Sequence, residues 1–504
     1  MDEKLKQEII MRWYIGKDRE PGETEQPYWG GSLRIRLPFI HYPWEWPEFV
    51  EGAILCVVPM GVIAAMQSSF GISYEMGLTM VIINNFMYLL HTSFGDPGLA
   101  GWITAGIPLY VSFVAEYATP LTAEGHNIGA IQAMCALQLI MAAVFLIMAF
   151  SGGAKKFVKY VPTSIKSGIL LGAGLASIIN VWQTGGRNDV LAKWTLDYGI
   201  GKFSISFTIA TVLSFFMLWS PRALRYRKSN KLFGWVARFG IAPTFIIGYI
   251  IAIALGEVTA PSGIFDKGWI FGLQISETFN AMSPFSIGWP TSEMFVGAIA
   301  TAIVAYILAF GDIIVVETLI SESNEARKDE LIVYDANRAN FWSGIRDLIE
   351  GLIWPYLPLA GPQWTAGQAL VVNRYINSKP DEFYSYWGGA TCMYWGMASI
   401  MLVYPLVLLV RPGLAFGYGL TLAVQGYLCT YLAMEMVTTN LERGISGMIG
   451  GILATRGATW GLLMGMLFYI FMEYGTSEEK KAEERRKEQE KRKQAEAEKK
   501  KNAS

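Results

Sequence analysis

Histidine and cysteine are nearly missing from this chain, with three and four among 504 residues. His41, His91 and His126 stand far apart, which excludes an imidazole-built metal centre. Cys56, Cys135, Cys392 and Cys429 sit inside apolar stretches without metal-ligand spacing. They read as reduced, packed thiols and exclude a disulfide framework. Charge is scarce as well: 16% of residues are Asp, Glu, Lys or Arg, against about 25% in soluble domains. The first 48 residues hold no apolar signal-peptide core, so none is expected. HExxH, Gly-x-Ser-x-Gly and Asp-rich diphosphate motifs are missing too, which removes a membrane enzyme acting on lipids. Asp329-Glu330 with Asp335 comes nearest and reads as a loop. No metal, no cofactor and no nucleic-acid partner is expected.

What the chain has instead is apolar length. Uninterrupted stretches such as Ile128–Phe150, Phe295–Phe310 and Met393–Val410 approach the roughly 20 helical residues that cross a hydrocarbon core. The fold class is an all-α polytopic membrane protein of about fourteen segments, some short or broken. Residues 1–46 form an N-terminal cytoplasmic segment, 47–256 a first set of seven segments and 257–292 a connection. Residues 293–474 form a second set of seven, and 475–504 a charged tail, solvated as a single helix or without structure. Lys155, Lys156 and Lys159 follow segment four; Arg222, Arg225 and Arg227 follow segment six. Arg327 and Lys328 follow segment eight, and Arg374 and Lys379 follow segment ten. Basic even-numbered connections place these loops and both termini in the cytoplasm, with Arg187, Lys193 and Lys202 as exceptions. The cell (inner) membrane is the expected location, with lipid as the surrounding partner.

Two phrases occur twice, in the same order. Trp46-Pro47 leading to Val50-Glu51-Gly52-Ala53-Ile54 returns as Trp289-Pro290 leading to Val296-Gly297-Ala298-Ile299. Leu99-Ala100-Gly101-Trp102-Ile103-Thr104-Ala105-Gly106 returns as Leu359-Ala360-Gly361-Pro362-Gln363-Trp364-Thr365-Ala366-Gly367. The copies lie about half the chain apart, and seven is odd, so the second set enters the membrane in the opposite sense. Such an inverted repeat with interrupted spans marks secondary transporters and their binding sites.

The second phrase carries the chemistry. Gly95, Pro97, Gly98, Gly101, Gly106 and Pro108 crowd segment three; Pro355, Pro358, Gly361, Pro362 and Gly367 crowd segment ten. A continuous helix loses backbone bonds at such density, and irregular backbone survives at membrane depth only inside protein or beside water. Each segment is expected to be part strand and part half-helix, with helix N-termini facing each other and suited to an anion or a polar heterocycle. Thr104, Gln363 and Thr365 supply polar side chains there, and Trp102 and Trp364 offer planar surfaces for stacking. Asp312 follows a long apolar run in segment eight, where a carboxylate costs about 2.5 kcal/mol or more and is a functional candidate. It lies as far beyond Gly297 as Gln67 lies beyond Gly52, so Gln67 joins the candidate set. Glu317 is a second acid for ion coupling, turned about 140° around the helix from Asp312. Arg346 and Glu350, four apart, are expected to pair within segment nine.

These pieces resemble the nucleobase–ascorbate transporters and uracil and xanthine permeases, with the SulP-type anion transporters that share their fold. The matching residues are Tyr160-Val161-Pro162-Thr163-Ser164 through Gly168, Gly172 and Gly174, the Gly311-Asp312 pair, and Ser343-Gly344-Ile345 leading to Gln363. The resemblance implies a seven-plus-seven inverted repeat, a core domain of segments 1–4 and 8–11, and a gate domain of segments 5–7 and 12–14. It also implies a homodimer, an elevator-like movement, and a nucleobase-binding role for Gln363. Leu308 stands where those carriers place an acidic ligand, and Trp364 where Asn is usual. The expected function is a secondary active transporter of a small polar or anionic solute, coupled to H⁺ or Na⁺. An uncoupled, channel-like anion conductor on the same scaffold is the alternative.

Overall fold

The computed structural model describes residues 36–39, 42–153, 160–182, 205–477, 479–481, 483–488 and 491. His41, Lys155, Lys156, Lys159, Arg187, Lys193 and Lys202 lie outside the described residues, as do most of residues 1–46 and the end of the tail.

The first half contains α1 (Trp46–Phe70), α2 (Tyr74–Met87), the two-residue strand β1 (Gly101–Trp102), and α3 (Ile107–Glu116), entered through a 3-10 turn at Thr104–Gly106. It continues with α4 (Ile128–Ser151), α5 (Thr163–Trp182), α6 (Ile205–Trp219) and α7 (Ala242–Ala254). The second half contains α8 (Ser292–Ala326), α9 (Ala336–Ile353), strand β2 (Ala360–Gly361), α10 (Thr365–Asn377) and α11 (Tyr386–Ile400). It ends with α12 (Leu414–Met436), α13 (Asn440–Arg456) and α14 (Ala458–Phe468). Local chemistry sets many of these ends. Asn127 caps α4 by accepting from the Ala130 amide at 3.2 Å, and Gly152 (φ 62°) closes it. Asp335 caps α9, and Thr439 and Glu442 form a reciprocal capping box at the start of α13.

Among the described residues, α1, α4, α5 and α8 are long and apolar enough to cross a membrane, and two bent helix pairs raise the number to six. Proline or glycine interrupts some of the others, as at Pro221 after α6 and Gly457 between α13 and α14. α8 exceeds its expected segment: its 35 residues make a rod of about 50 Å, longer than a hydrocarbon core.

The helices sort into two packing groups. In one, α4 lies along α8 and α9, α1 along α11, and α10 against α8 and α11. In the other, α5 packs on α12 and α13, α6 on α7, and α13 on α14. Close approach depends on glycine: a methyl added at Gly52 would meet the Met393 carbonyl oxygen at 2.0 Å. The N-terminal end of α1 meets the far end of α10, where Arg374 contacts Glu48 and lies 3.6 Å from Glu45. The described part of the charged tail is helical and docked: Arg485 donates to the Thr438 carbonyl (3.1 Å), and Arg486 contacts the buried carboxylate of Glu442.

Candidate functional site

β1 and β2 pair antiparallel, with Gly101 opposite Gly361 and Trp102 opposite Ala360. Gly101 and Gly361 are equivalent residues of the duplicated phrase, so the pairing is centred on the symmetry point of the repeat. The bonds on either side obey the same symmetry. The Ile103 amide donates to the Leu359 carbonyl at 3.1 Å, and the Trp364 amide donates to the Leu99 carbonyl. Antiparallel strands send their following helices away in opposite directions, so α3 and α10 start back to back.

Two residues per strand cannot satisfy the surrounding backbone, and no lipid group replaces the missing partners. Side chains supply them. The Leu99 amide donates to Gln368 Oε1 (2.8 Å), and the Gly98 amide to Asp96 Oδ1 (3.1 Å). Tyr386 and Tyr394 hydroxyls donate to the carbonyls of Pro97 (2.6 Å) and Ala100 (2.8 Å). On the second strand, the Ala360 amide donates to Asp347 Oδ1 (2.9 Å), and the Tyr356 amide to Gln138 Oε1 (2.7 Å). Arg346 joins the two halves: it donates to Gly101 O (3.1 Å), Gly361 O (3.3 Å) and Asn84 Oδ1 (3.1 Å), with its guanidinium over the Tyr88 ring. The expected pairing of Arg346 with Glu350 is therefore not what forms. Arg346 turns to the strand carbonyls because nothing else there can satisfy them, and Glu350 accepts from Gln138 instead (2.7 Å).

Neither half-helix has a side-chain cap: Ile103 precedes the turn at Thr104 and Trp364 precedes α10, and neither accepts from the first turn. The opening amides keep their partial positive charge, a setting that favours an anion by about 0.3–1 kcal/mol at an exposed end and about 2 in a partly buried one. α8 packs against α10 and against the 3-10 turn at Thr104. It carries Asp312, half-buried, whose Oδ1 accepts from the Thr365 hydroxyl. Beside it a methyl added at Gly311 would meet nothing within 4 Å, and Ala366 is exposed, so this corner is open.

The structure thus brings Asp312 and Thr365 together, with Thr104 half-buried on the facing turn. Gln363 is buried and reaches Tyr334, Nε2 donating to the hydroxyl at 3.1 Å. Its amide lies against Gly98, where an added methyl would meet Oε1 at 2.1 Å. The repeat gains one residue between Gly361 and Thr365, and that extra length lets Gln363 tuck under the opposite strand. Glu317 lies apart from Asp312, within electrostatic reach of Tyr334. Trp102 and Trp364 are both half-buried, and each has one side engaged by protein. Trp102 packs on Tyr356, with ring centroids 6.2 Å apart, and Trp364 packs over Gly101 and Gly367. Gln67 is half-buried in α1, which packs on α3 and ends at left-handed Gly71. Among the described residues it makes no side-chain hydrogen bond, so the symmetry with Asp312 extends to position and not to partner.

The residues that sequence reasoning missed are the supports Asn84, Gln138, Asp347, Gln368, Tyr386 and Tyr394, with Arg346 given a different partner. Polar side chains inside apolar helices were the available signal. A separate cavity of about 420 Å³ lies between the end of α3 and the α13–α14 corner, lined by Ser112, Glu116, Thr455, Arg456 and Trp460. It shares only α3 with the strand crossing.

No protein-family model matches the chain, and no curated protein matches it. Solved structures do. The chain is similar to the transmembrane domain of a cyanobacterium bicarbonate transporter, BicA, at 15% identity over 84% of this chain and 95% of that one, with TM-score 0.44. It is similar to the murine Solute Carrier 26 family member A9 anion transporter in its inward-facing state, at 16% identity over 85% of this chain and 68% of that one, with TM-score 0.50. At such identity the likeness shows the fold: this chain has the membrane architecture of that anion transporter, an inverted repeat with two broken spans.

Proposed function

We propose that this protein is a secondary active transporter that holds a small anion between the starts of α3 and α10. A monovalent cation, H⁺ or Na⁺, binds at Asp312 and Thr365. The observation that carries the reading is the back-to-back pair of uncapped half-helices with a carboxylate of α8 at the edge of one of them. The opening amides favour negative charge, and Asp312 favours positive charge. Adjacent anion and cation neutralise each other, so each improves the site for the other, which is the requirement for coupled transport. The anion class also fits the fold shared with the murine anion transporter. The group built on α1–α4 and α8–α11 carries the site and moves against the group built on α5–α7 and α12–α14. Trp102 and Trp364 shape the strands in this reading and do not stack on the solute.

The test is uptake of labelled bicarbonate, sulfate, nitrate and chloride into proteoliposomes holding the full chain. Asp312→Asn and Thr365→Val are expected to lower coupled uptake at least tenfold, since a hydrogen bond to a charged group contributes about 1.5–3 kcal/mol and about 1.4 kcal/mol is tenfold. Uptake that ignores both Asp312→Asn and Thr365→Val overturns the reading.

A further inference from the structure

Behind β2 lies a second acidic site that the solute pocket does not include. Asp347 and Glu350 project from neighbouring turns of α9, and both are buried. One amide nitrogen serves them both: Gln138 Nε2 donates to Asp347 Oδ1 at 3.2 Å and to Glu350 Oε2 at 2.7 Å. The other oxygen of each, Asp347 Oδ2 and Glu350 Oε1, is buried with no hydrogen-bond partner. Two carboxylates converging on one neutral amide in a protein interior cannot both stay ionised unless positive charge answers them.

The surrounding charges do not supply enough. Arg346 is the cation of the cluster, and its donors go to Gly101 O, Gly361 O and Asn84. One guanidinium against two carboxylates leaves one negative charge over. His91 is engaged with Asp96, Nδ1 to Oδ2 at 2.7 Å. From α3 comes Tyr110, from the position just after α2 Tyr88, from the strand approach Tyr356, and from α4 Cys135, whose thiol donates to Gly351 O. None of these is a cation.

We propose that Asp347 and Glu350 retain one proton between them, and that this proton is exchanged as the strand crossing takes up and releases its solute. The link to the crossing is direct. Asp347 Oδ1 holds the Ala360 amide of β2 at 2.9 Å, and Gln138 holds the Tyr356 amide on the approach to it. Movement of β2 alters the partner of Asp347 and hence the hold on the proton; by reciprocity, proton loss alters β2. The coupling half of the proposal rests on the transporter reading, whereas the proton itself does not.

Infrared spectroscopy of the purified full chain in water and deuterium oxide reads the proton without transport. A protonated-carboxyl band is expected in the wild type, lost in Glu350→Gln and lost or shifted in Asp347→Asn. Should Asp347→Asn fail to fold, Glu350→Gln decides alone. A wild type with no carboxyl band that Glu350→Gln removes overturns the proposal. In proteoliposomes, an imposed pH gradient is expected to change wild-type bicarbonate or sulfate uptake at least threefold more than Glu350→Gln uptake. Equal responses overturn the coupling while leaving the transporter reading to Asp312→Asn. If no anion is taken up, the transporter reading fails, the coupling fails with it, and the infrared band still decides the proton.

Discussion

Replacing Arg346 by methionine keeps the volume of the side chain near Tyr88 and removes every donor. Three acceptors lose a partner at once: Gly101 O on β1, Gly361 O on β2 and Asn84 Oδ1 on α2. Each bond from a charged donor contributes about 1.5–3 kcal/mol, yet the three do not simply add. Breaking a buried charged contact by deleting one side costs about 3–5 kcal/mol, which bounds the loss from the other direction. A value of about 4 kcal/mol is therefore expected, and it falls on the geometry that holds two half-helices back to back. Two assays read it. Thermal unfolding of the purified variant is expected at a clearly lower temperature, and anion uptake per inserted molecule is expected to fall at least about a hundredfold, since about 2.7 kcal/mol suffices for that factor. Arg346→Lys keeps the charge but offers a compact ammonium in place of a planar fork, so it restores one carbonyl contact and only part of both readouts. Wild-type unfolding and wild-type uptake in Arg346→Met refute the reasoning. Lowered stability with full uptake per folded molecule refutes the claim that the crossing depends on this staple.

Two further outcomes test the periphery. Arg486→Ala uncovers the buried Glu442 carboxylate, which still accepts from the Thr438 and Thr439 amides at 2.8 and 3.2 Å. Release of the tail is expected, read as faster tryptic cleavage at Arg485 and Lys487, with a loss of about 1–2 kcal/mol; exposed Glu484→Ala is expected to change neither. Glu45, just before α1, has its carboxyl pushed up to about 7 from 4.5 by burial and by the charge of Glu48. The folded state then binds more protons than the unfolded state between about pH 4.5 and 7, so this group's contribution to stability falls as pH rises through that window. Glu45→Gln is expected to flatten that part of the thermal-stability profile, and an unchanged slope contradicts it.

The repeat was legible because duplication copies phrases, and copied phrases survive as Leu-Ala-Gly and as Thr-Ala-Gly. From them follow the two broken spans and the opposed senses; the strand pairing itself came from the structure, where Gly101 meets its own counterpart Gly361. Asp312 was legible for a different reason: a lone carboxylate in an apolar run carries its cost in the sequence itself. The contact with Thr365 was not, because nothing local tells which of two half-helix threonines a side chain on α8 will face. Symmetry put Gln67 at the position matching Asp312, and the two helices differ in that α1 stops at Gly71 while α8 continues to Ala326.

The polar supports show where a local reading loses its hold. Arg346 and Glu350 have the spacing of a helical ion pair, worth about 0.2–0.5 kcal/mol on an exposed surface. Inside the protein that gain competes with the cost of leaving strand carbonyls unpaired, about 1–3 kcal/mol for each group. Arg346 has two such carbonyls within reach, so the strands win and Glu350 is handed to Gln138. What decides the pairing of α9 is thus the broken backbone of β1 and β2, 245 residues away from Arg346 in the case of Gly101. Any sequence that interrupts helices at membrane depth must bring its own donors and acceptors to the break. Buried Asn84, Gln138 and Gln368 are those donors and acceptors, and their function is invisible until the two strands are placed between them.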